Sequence, residues 1–347
     1  MRLRALLIVL LVATLLPLSG CIRFWREMNE MSAALSALDA MFGGGDGIYG
    51  AGEDYPAYYV SWHDAQEFIV ALSRHLDATN QDGVSVRLPS EAEWEYACRA
   101  GTTTIFYWGD SWDENDKYTW YKNGLFQTYP VGGKLPNAYG LYDMIGNVYE
   151  WCQDWHAAYP DEPQTDPTGP ETGVCRILRG GGLWSDGRPT STHRWHLLPD
   201  RRTVLAGFRV AASIGATCGE EEGEAFTPPD ELTLMLPGDV ALALVRIPGG
   251  TFMMGRDMEE RKADEQESTA KLKTHESSRY EVTISSGKDN GQETVVLYEN
   301  ESPPHEVTIS NDFYMGMYEV TQQQWLAVMG AWPDKEPKCR NKEGEHE

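Results

Sequence analysis

From Gly101 to Arg209 the chain sustains neither of the two periods that build regular secondary structure. Its apolar residues recur neither every three to four positions, as on one face of a helix, nor at every second position, as along a half-buried strand. Gly, Pro, Asn, Trp and Tyr dominate instead, and they argue for irregular loops laid over short strands. The chain holds 12 Trp and 17 Tyr in an apolar fraction of 41%. That aromatic load suits a compact, loop-rich fold and not a disordered chain. A length of 347 residues leaves room for one large domain or two ordinary ones, with a real core.

Helices are expected where local signals concur. Ser61 and Asp64 match a capping pattern, and Trp62, Ala65, Phe68, Ile69, Leu72 and Leu76 follow on one face. Ser90-Glu91-Ala92-Glu93 is a second capping box. Thr321 and Gln324 open a third helix, with Trp325, Val328 and Met329 facing inward. Leu244–Ile247 and Thr251–Met254 read as strands joined by Pro248-Gly249-Gly250, and Glu281-Val282-Thr283-Ile284-Ser285 echoes Glu306-Val307-Thr308-Ile309-Ser310. The echo suggests a duplicated strand extending a sheet edge.

The first residues are not fold. Arg2 and Arg4 precede an apolar run from Ala5 to Leu16 that is short for a membrane span, and Leu18-Ser19-Gly20-Cys21 looks like a bacterial lipobox. Cys21 is therefore the expected lipidation site, giving a membrane-anchored envelope lipoprotein at the outer membrane or cell surface. Phe24, Met28, Met31, Leu35, Leu38 and Phe42 then mark one face of a helix that ends at Gly43-Gly44-Gly45. Beyond Cys21 five cysteines remain, Cys98, Cys152, Cys175, Cys218 and Cys339, so at least one thiol stays unpaired within the chain. Asp and Glu number 53 against 29 Lys and Arg, a net charge of −24 that excludes nucleic acid as a partner.

Arg87-Leu88-Pro89-Ser90-Glu91-Ala92-Glu93-Trp94-Glu95-Tyr96-Ala97 is followed by Pro136-Asn137-Ala138-Tyr139-Gly140-Leu141-Tyr142-Asp143-Met144-Ile145-Gly146-Asn147-Val148-Tyr149-Glu150-Trp151. Arg179-Gly180-Gly181-Gly182 and Gly207-Phe208-Arg209 come after. In this order and spacing the four segments resemble the sulfatase-modifying-factor family, to which formylglycine-generating enzyme belongs. The resemblance implies an α+β, C-type-lectin-like fold with little regular secondary structure. In that family a Met-Gly strand, a Pro-His-x-Val strand and a Glu-Val-Thr helix start come first. Here their counterparts stand last, at Gly250–Gly255, Pro304–Val307 and Tyr318–Thr321. The resemblance thus implies a domain with its halves in permuted order, the alternative being a fragment of a tandem array. The expected division is a signal peptide at 1–20 and a lipid-anchored helix and linker at 21–54. The domain's C-terminal part follows at 55–213, an acidic linker at 214–243, and its N-terminal part at 244–347, with a polar insertion at 256–300.

The resemblance also implies chemistry. Formylglycine-generating enzymes oxidise a substrate cysteine with two copper-binding cysteines, and an ungapped count from Gly180 puts Ser185 and Thr190 at those positions. Hydroxyls cannot replace thiolates for Cu(I), so copper is not expected. Relatives bind calcium through two side chains and two carbonyls of the Gly-Leu-Tyr loop; matched residue by residue, these are Asp143, Glu150, and the carbonyls of Gly146 and Val148. His193 and His196, with Asp186 nearby, are also a chemically sensible metal set, although polar lining is the plainer reading. Trp184, Arg188, His193, Arg194, Trp195 and His196, with Arg201 and Arg202, form the expected face for a protein, peptide or small-molecule ligand. The expected function is a non-catalytic binding lipoprotein. The alternatives are an oxidase acting on sulfatase cysteine and a structural part of an envelope assembly.

Overall fold

The computed structural model describes residues 50–333, apart from 80, 82, 122–126, 183–187, 216–228, 257–278, 286–291 and 299–300; at 279–285 and 292–298 it describes the backbone alone. The expected signal peptide, Cys21, the helix expected after it, Trp184, Ser185, Asp186, Cys218 and Cys339 lie outside the described residues. No helix among the described residues is long and apolar enough to cross a membrane.

Three capping boxes set the helix starts. In α1 (Trp62–Ala78) the Ser61 hydroxyl accepts from the Asp64 N–H while the Asp64 carboxylate accepts from the Ser61 N–H. Ser90 and Glu93 do the same for α2 (Glu91–Arg99), and Thr321 and Gln324 for α4 (Gln322–Met329). Each box satisfies two backbone donors that a helix start otherwise leaves unpaired. A short helix, α3 (Asn115–Tyr118), lies in the aromatic loop between α2 and the strands. On α4 Trp325 is buried as expected, whereas Val328 and Met329 are only half-buried. Gln322 and Gln324 take inner positions instead, because their amides bond the carbonyls of Gly50, Pro56 and Ala241.

The strands are short and their pairings long-range. β1 (Val84–Arg87), β7 (Ala211–Ile214), β14 (Phe313–Gly316), β9 (Val240–Ile247) and β8 (Glu231–Leu236) form an antiparallel sheet in the order β1-β7-β14-β9-β8. The third strand in that order comes from the far end of the sequence and fills the slot beside β7. A second sheet has the order β10-β13-β3, from β10 (Gly250–Met254), β13 (His305–Ile309) and β3 (Gln164–Thr165). A third runs β5-β4-β2-β6, from β5 (Arg194–Leu197), β4 (Arg176–Arg179), β2 (Tyr149–Trp155) and β6 (Ala206–Gly207). Few helices, curled mostly antiparallel sheets and long loops make this an α+β fold of the expected kind.

Residues 244–256 and 301–333 pack on residues 55–211 by both backbone and side chains. Ala57 N–H donates to Val320 O at 2.7 Å, Gly316 N–H to Val210 O at 2.7 Å, and Tyr142 N–H to Met317 O at 3.0 Å. Trp325 stacks on Phe68 at 5.6 Å between centroids and meets Phe208 edge-on at 6.2 Å. One buried cluster draws Trp94, Leu141, Met144 and Ile177 from the first stretch and Ile247, Val307, Phe313 and Met315 from the second.

Two expectations change. The acidic linker ends earlier than residue 243, since β8 and the start of β9 form a hairpin across Pro237-Gly238-Asp239. Leu232, Leu234 and Leu236 alternate along β8, a short period hidden by the glutamate run before it. The two echoing segments are both strands but not neighbours in one sheet. β11 (Arg279–Ser285) pairs with β12 (Gln292–Tyr298) in a two-stranded sheet, while β13 sits between β10 and β3.

Candidate functional site

The glutamates of α2 anchor the glycine-rich loop. Arg179, fully buried at the end of β4, pairs with Glu95 and donates to Thr192 O at 2.6 Å. Arg194 holds Glu91 with two bonds, Nε to Oε1 at 2.8 Å and Nη2 to Oε2 at 2.7 Å. A forked guanidinium on a buried carboxylate fixes both distance and orientation. The strand leaving the loop is thereby clamped to the start of α2. Gly180 has φ +89°, and an added Cβ would lie 3.1 Å from both Met144 O and Trp94, so this loop start needs glycine.

Next to that clamp stands a chain of polar groups. The Thr190 and Thr192 hydroxyls are 2.9 Å apart, and Thr192 donates to Glu301 Oε2 at 2.7 Å. Arg256 Nε donates to the same oxygen at 3.1 Å. His193 has Nδ1 3.8 Å from Glu301 Oε1 and Nε2 3.1 Å from the Tyr149 hydroxyl. Tyr149 also packs on Trp195, with centroids 4.9 Å apart. Tyr149 and Glu301 were not singled out from the sequence. Glu301 stands 109 positions from Thr192 and belongs to no motif.

Pleating sorts the expected ligand face into two sets. His193 and Trp195 turn toward Tyr149, whereas Arg194 and His196 turn inward, Arg194 to Glu91 and His196 to His156 at 4.2 Å between ring centroids. Both inward residues are buried, so they position the strand and do not meet a ligand. Burial, with His156 and Arg194 adding to it, holds the His196 imidazole well below its ordinary range, hence neutral. The His193–His196 metal set fails for the same reason: residues three apart near a strand point to opposite faces. Arg188 is exposed, while Arg202 is held by Asp64 at 2.6 Å. Among the described residues no group of three or more His, Cys, Asp and Glu side chains is placed to hold a metal ion.

Among the described residues no thiol is set as copper would need. Thr190 is buried with its hydroxyl engaged, and Cys98, which lies near Ser191, Cys152 and Cys175 are free buried thiols. Burial pushes Cys98 and Cys175 up to about 12 and Cys152 well above its ordinary value, away from the thiolate that a soft metal needs.

The Gly-Leu-Tyr loop builds a second buried centre. Asp143, Gly146 and Asn147 all have positive φ, of 55°, 95° and 56°, which curls the chain tightly. A Cβ on Gly146 would lie 2.2 Å from Thr119 Oγ1. Glu150 is gripped by Arg209 through Nε at 2.6 Å and Nη2 at 2.5 Å, and by Trp94 Nε1 at 2.7 Å. Asp143 Oδ2 accepts from Gly132 N–H at 2.6 Å, but Oδ1 has no hydrogen-bond partner. Glu319, brought in from the far segment, accepts from Asn147 through Oε1 at 3.2 Å and leaves Oε2 without a partner. The centre is therefore closed, with Asp143 and Glu150 at 1% and 0% exposure. Burial, reinforced by neighbouring carboxylates, pushes Asp143 up to about 6 and Glu319 well above the usual carboxylate range.

Comparison with known proteins agrees with this geometry. Residues 33–214 match the family model described as "Sulfatase-modifying factor enzyme 1-like domain". The chain is similar to the "Formylglycine-generating enzyme" of Streptomyces coelicolor, 35% identical over 185 residues, covering 48% of this chain and 55% of that protein. It is similar to the "Serine/threonine-protein kinase pkn1" of Chlamydia pneumoniae, 35% identical over 168 residues, covering 46% of this chain and 24% of that protein. The "Inactive C-alpha-formylglycine-generating enzyme 2" of Bos taurus is 29% identical over 184 residues, covering 48% of this chain and 53% of that protein. The match thus spans about half the length of the formylglycine-generating relatives and a quarter of the kinase. With the arginine–glutamate clamp, the curled Gly-Leu-Tyr loop and the α+β architecture in place, the chain belongs to the sulfatase-modifying factor enzyme 1-like family.

Proposed function

We propose that the protein is a bacterial cell-envelope lipoprotein, anchored through Cys21, whose domain binds a protein, peptide or small-molecule ligand and does not oxidise cysteine. The observation that carries this reading is Thr190, a buried hydroxyl bonded to Thr192 where the family resemblance puts a copper-binding cysteine. A relative bearing the word "Inactive" in its name gives such a member precedent. The binding face is the surface of His193 and Trp195, over the buried Tyr149. The order of the segments reads as a circular permutation of the family domain. One preparation tests anchor and chemistry together. Made in a bacterium fed labelled fatty acid, the full chain should carry label that Cys21→Ser lacks. The same purified protein, given Cu(I) and oxygen, should leave a cysteine-containing sulfatase peptide unchanged. Aldehyde in that peptide, or an unlabelled wild type, overturns the corresponding half.

Calcium belongs to this proposal at the Gly-Leu-Tyr loop. Three buried carboxylates, Asp143, Glu150 and Glu319, face one guanidinium, Arg209, which leaves excess negative charge that protons or a divalent cation must meet. Asp143 Oδ1 would be the side-chain ligand, with Glu319 Oε2 and loop carbonyls around it, because Arg209 and Trp94 already occupy Glu150. Hard oxygen ligands of this kind suit Ca²⁺. At a hundredfold excess over Kd such an ion stabilises by about 2.7 kcal/mol. Chelator is then expected to lower the melting temperature by roughly 5–10 °C in wild type and to do nothing in Asp143→Ala. A wild-type melting curve indifferent to chelator, in protein shown to be metal-free, would remove the ion.

A further inference from the structure

The loop around α3 carries aromatic rings that neither centre uses. Trp108 is sandwiched between Phe106 at 4.8 Å and Tyr118 at 5.1 Å, with interplanar angles of 8° and 4°. That stack forms a fixed base. Trp112 leans on it, 5.0 Å from Phe106, and Tyr121 meets Trp112 at 5.4 Å with the two planes at 90°. Trp112 and Tyr121 are both half-buried, and their perpendicular rings make two walls of a corner. The exposed guanidinium of Arg188 lies 5.6 Å from the Trp112 centroid, near the outer limit for an attractive cation–ring contact. It comes from the loop whose Ser191 N–H donates to Ile105 O at 3.0 Å. Asp110, Asp113, Glu114 and Asp116 follow one another along the same segment, where Lys117 is matched to Glu114 at 2.6 Å and Lys134 donates to Asp116 O. Asp113 and Asp116 are exposed.

We propose that this corner receives an arginine or lysine side chain presented by a partner protein, and that Arg188 holds the place until the partner arrives. The inference rests on the ligand-binding reading and names the partner's chemistry. The Arg188 guanidinium is a cation already set against Trp112. The acidic run adds long-range attraction for a basic segment, in a chain whose net charge is −24. A neutral sugar could also stack on Trp112, but it would gain nothing from the carboxylates and would have to displace a charged group. A phosphate or nucleic acid is repelled.

The test is titration of the full chain with a short peptide carrying one arginine, following the tryptophan indole N–H signals by NMR. The Trp112 signal is expected to shift. Trp112→Ala should weaken binding at least tenfold while leaving net charge unchanged, which separates the corner from diffuse attraction to an acidic surface. Trp112→Phe keeps a ring and should retain most of the binding, a control should the alanine variant fold poorly. Arg188→Ala should strengthen binding several-fold, because the internal competitor is gone. Affinity unchanged in Trp112→Ala, or weakened in Arg188→Ala, overturns the proposal. Tetramethylammonium binding as tightly as the peptide would instead assign the corner to a small cation. Saturation by a neutral methyl glucoside at lower concentration would assign it to sugar, and either result overturns the partner named here.

Discussion

Arg209→Ala is expected to destabilise the protein by about 3–5 kcal/mol, the range for breaking a buried ion pair from one side. Arg209 is fully buried, forks onto Glu150, and donates to Tyr142 O and Gly316 O, each at 3.0 Å. Without it Glu150, Asp143 and Glu319 share a dry centre with no positive charge among them. The loss therefore has a pH signature. Acid protonates the stranded carboxylates, so the gap between variant and wild type should narrow from pH 7 to pH 5. Arg209→Lys should recover only part of it, because an ammonium cannot reproduce two parallel bonds to Glu150 and two more to carbonyls on opposite sides. Denaturant midpoints at the two pH values measure this. A pH-independent loss below 1 kcal/mol would mean that water or a relocated side chain reaches the centre. The pair is not thereby a net source of stability, since a well-packed apolar substitute could do as well.

Trp325→Ala should cost a similar 3–5 kcal/mol, through lost burial and the cavity left behind. Its ring stacks on Phe68 of α1 and meets Phe208 just before β7, so a defect at the far end of the sequence opens the core of the earlier segment. If residues 244–333 and 55–211 melt as one cooperative body, the whole transition moves down together, including the near-ultraviolet signal of Trp94 and Trp151. Two transitions, with the one from Trp94 and Trp151 unmoved, would show that the segments fold separately. That outcome would favour the tandem-fragment reading over circular permutation.

What the sequence determined by itself was whatever depends on neighbours along the chain. The three capping boxes were legible because each pairs residues three positions apart, a distance set by helix geometry alone. The α+β architecture was legible from the lack of period between Gly101 and Arg209 together with the family segments around it. That Thr190 stands where the family resemblance puts a thiol needed only a count from Gly180. Tertiary structure decided which polar residues face one another. Glu150 looked like half of an open calcium site, yet its two oxygens belong to Arg209, 59 positions away. Arg194 and His196 looked like surface residues until the pleat of β5 turned them inward. Glu301 carried no signal and Glu319 was read only as part of a helix start, because what makes them matter is the approach of a distant segment to His193 and Asn147. The physical reason is the same throughout. Local bonds are set by backbone geometry that any nearby pair reads out, whereas the desolvation of a charge and the identity of its partner exist only once remote segments have excluded water together.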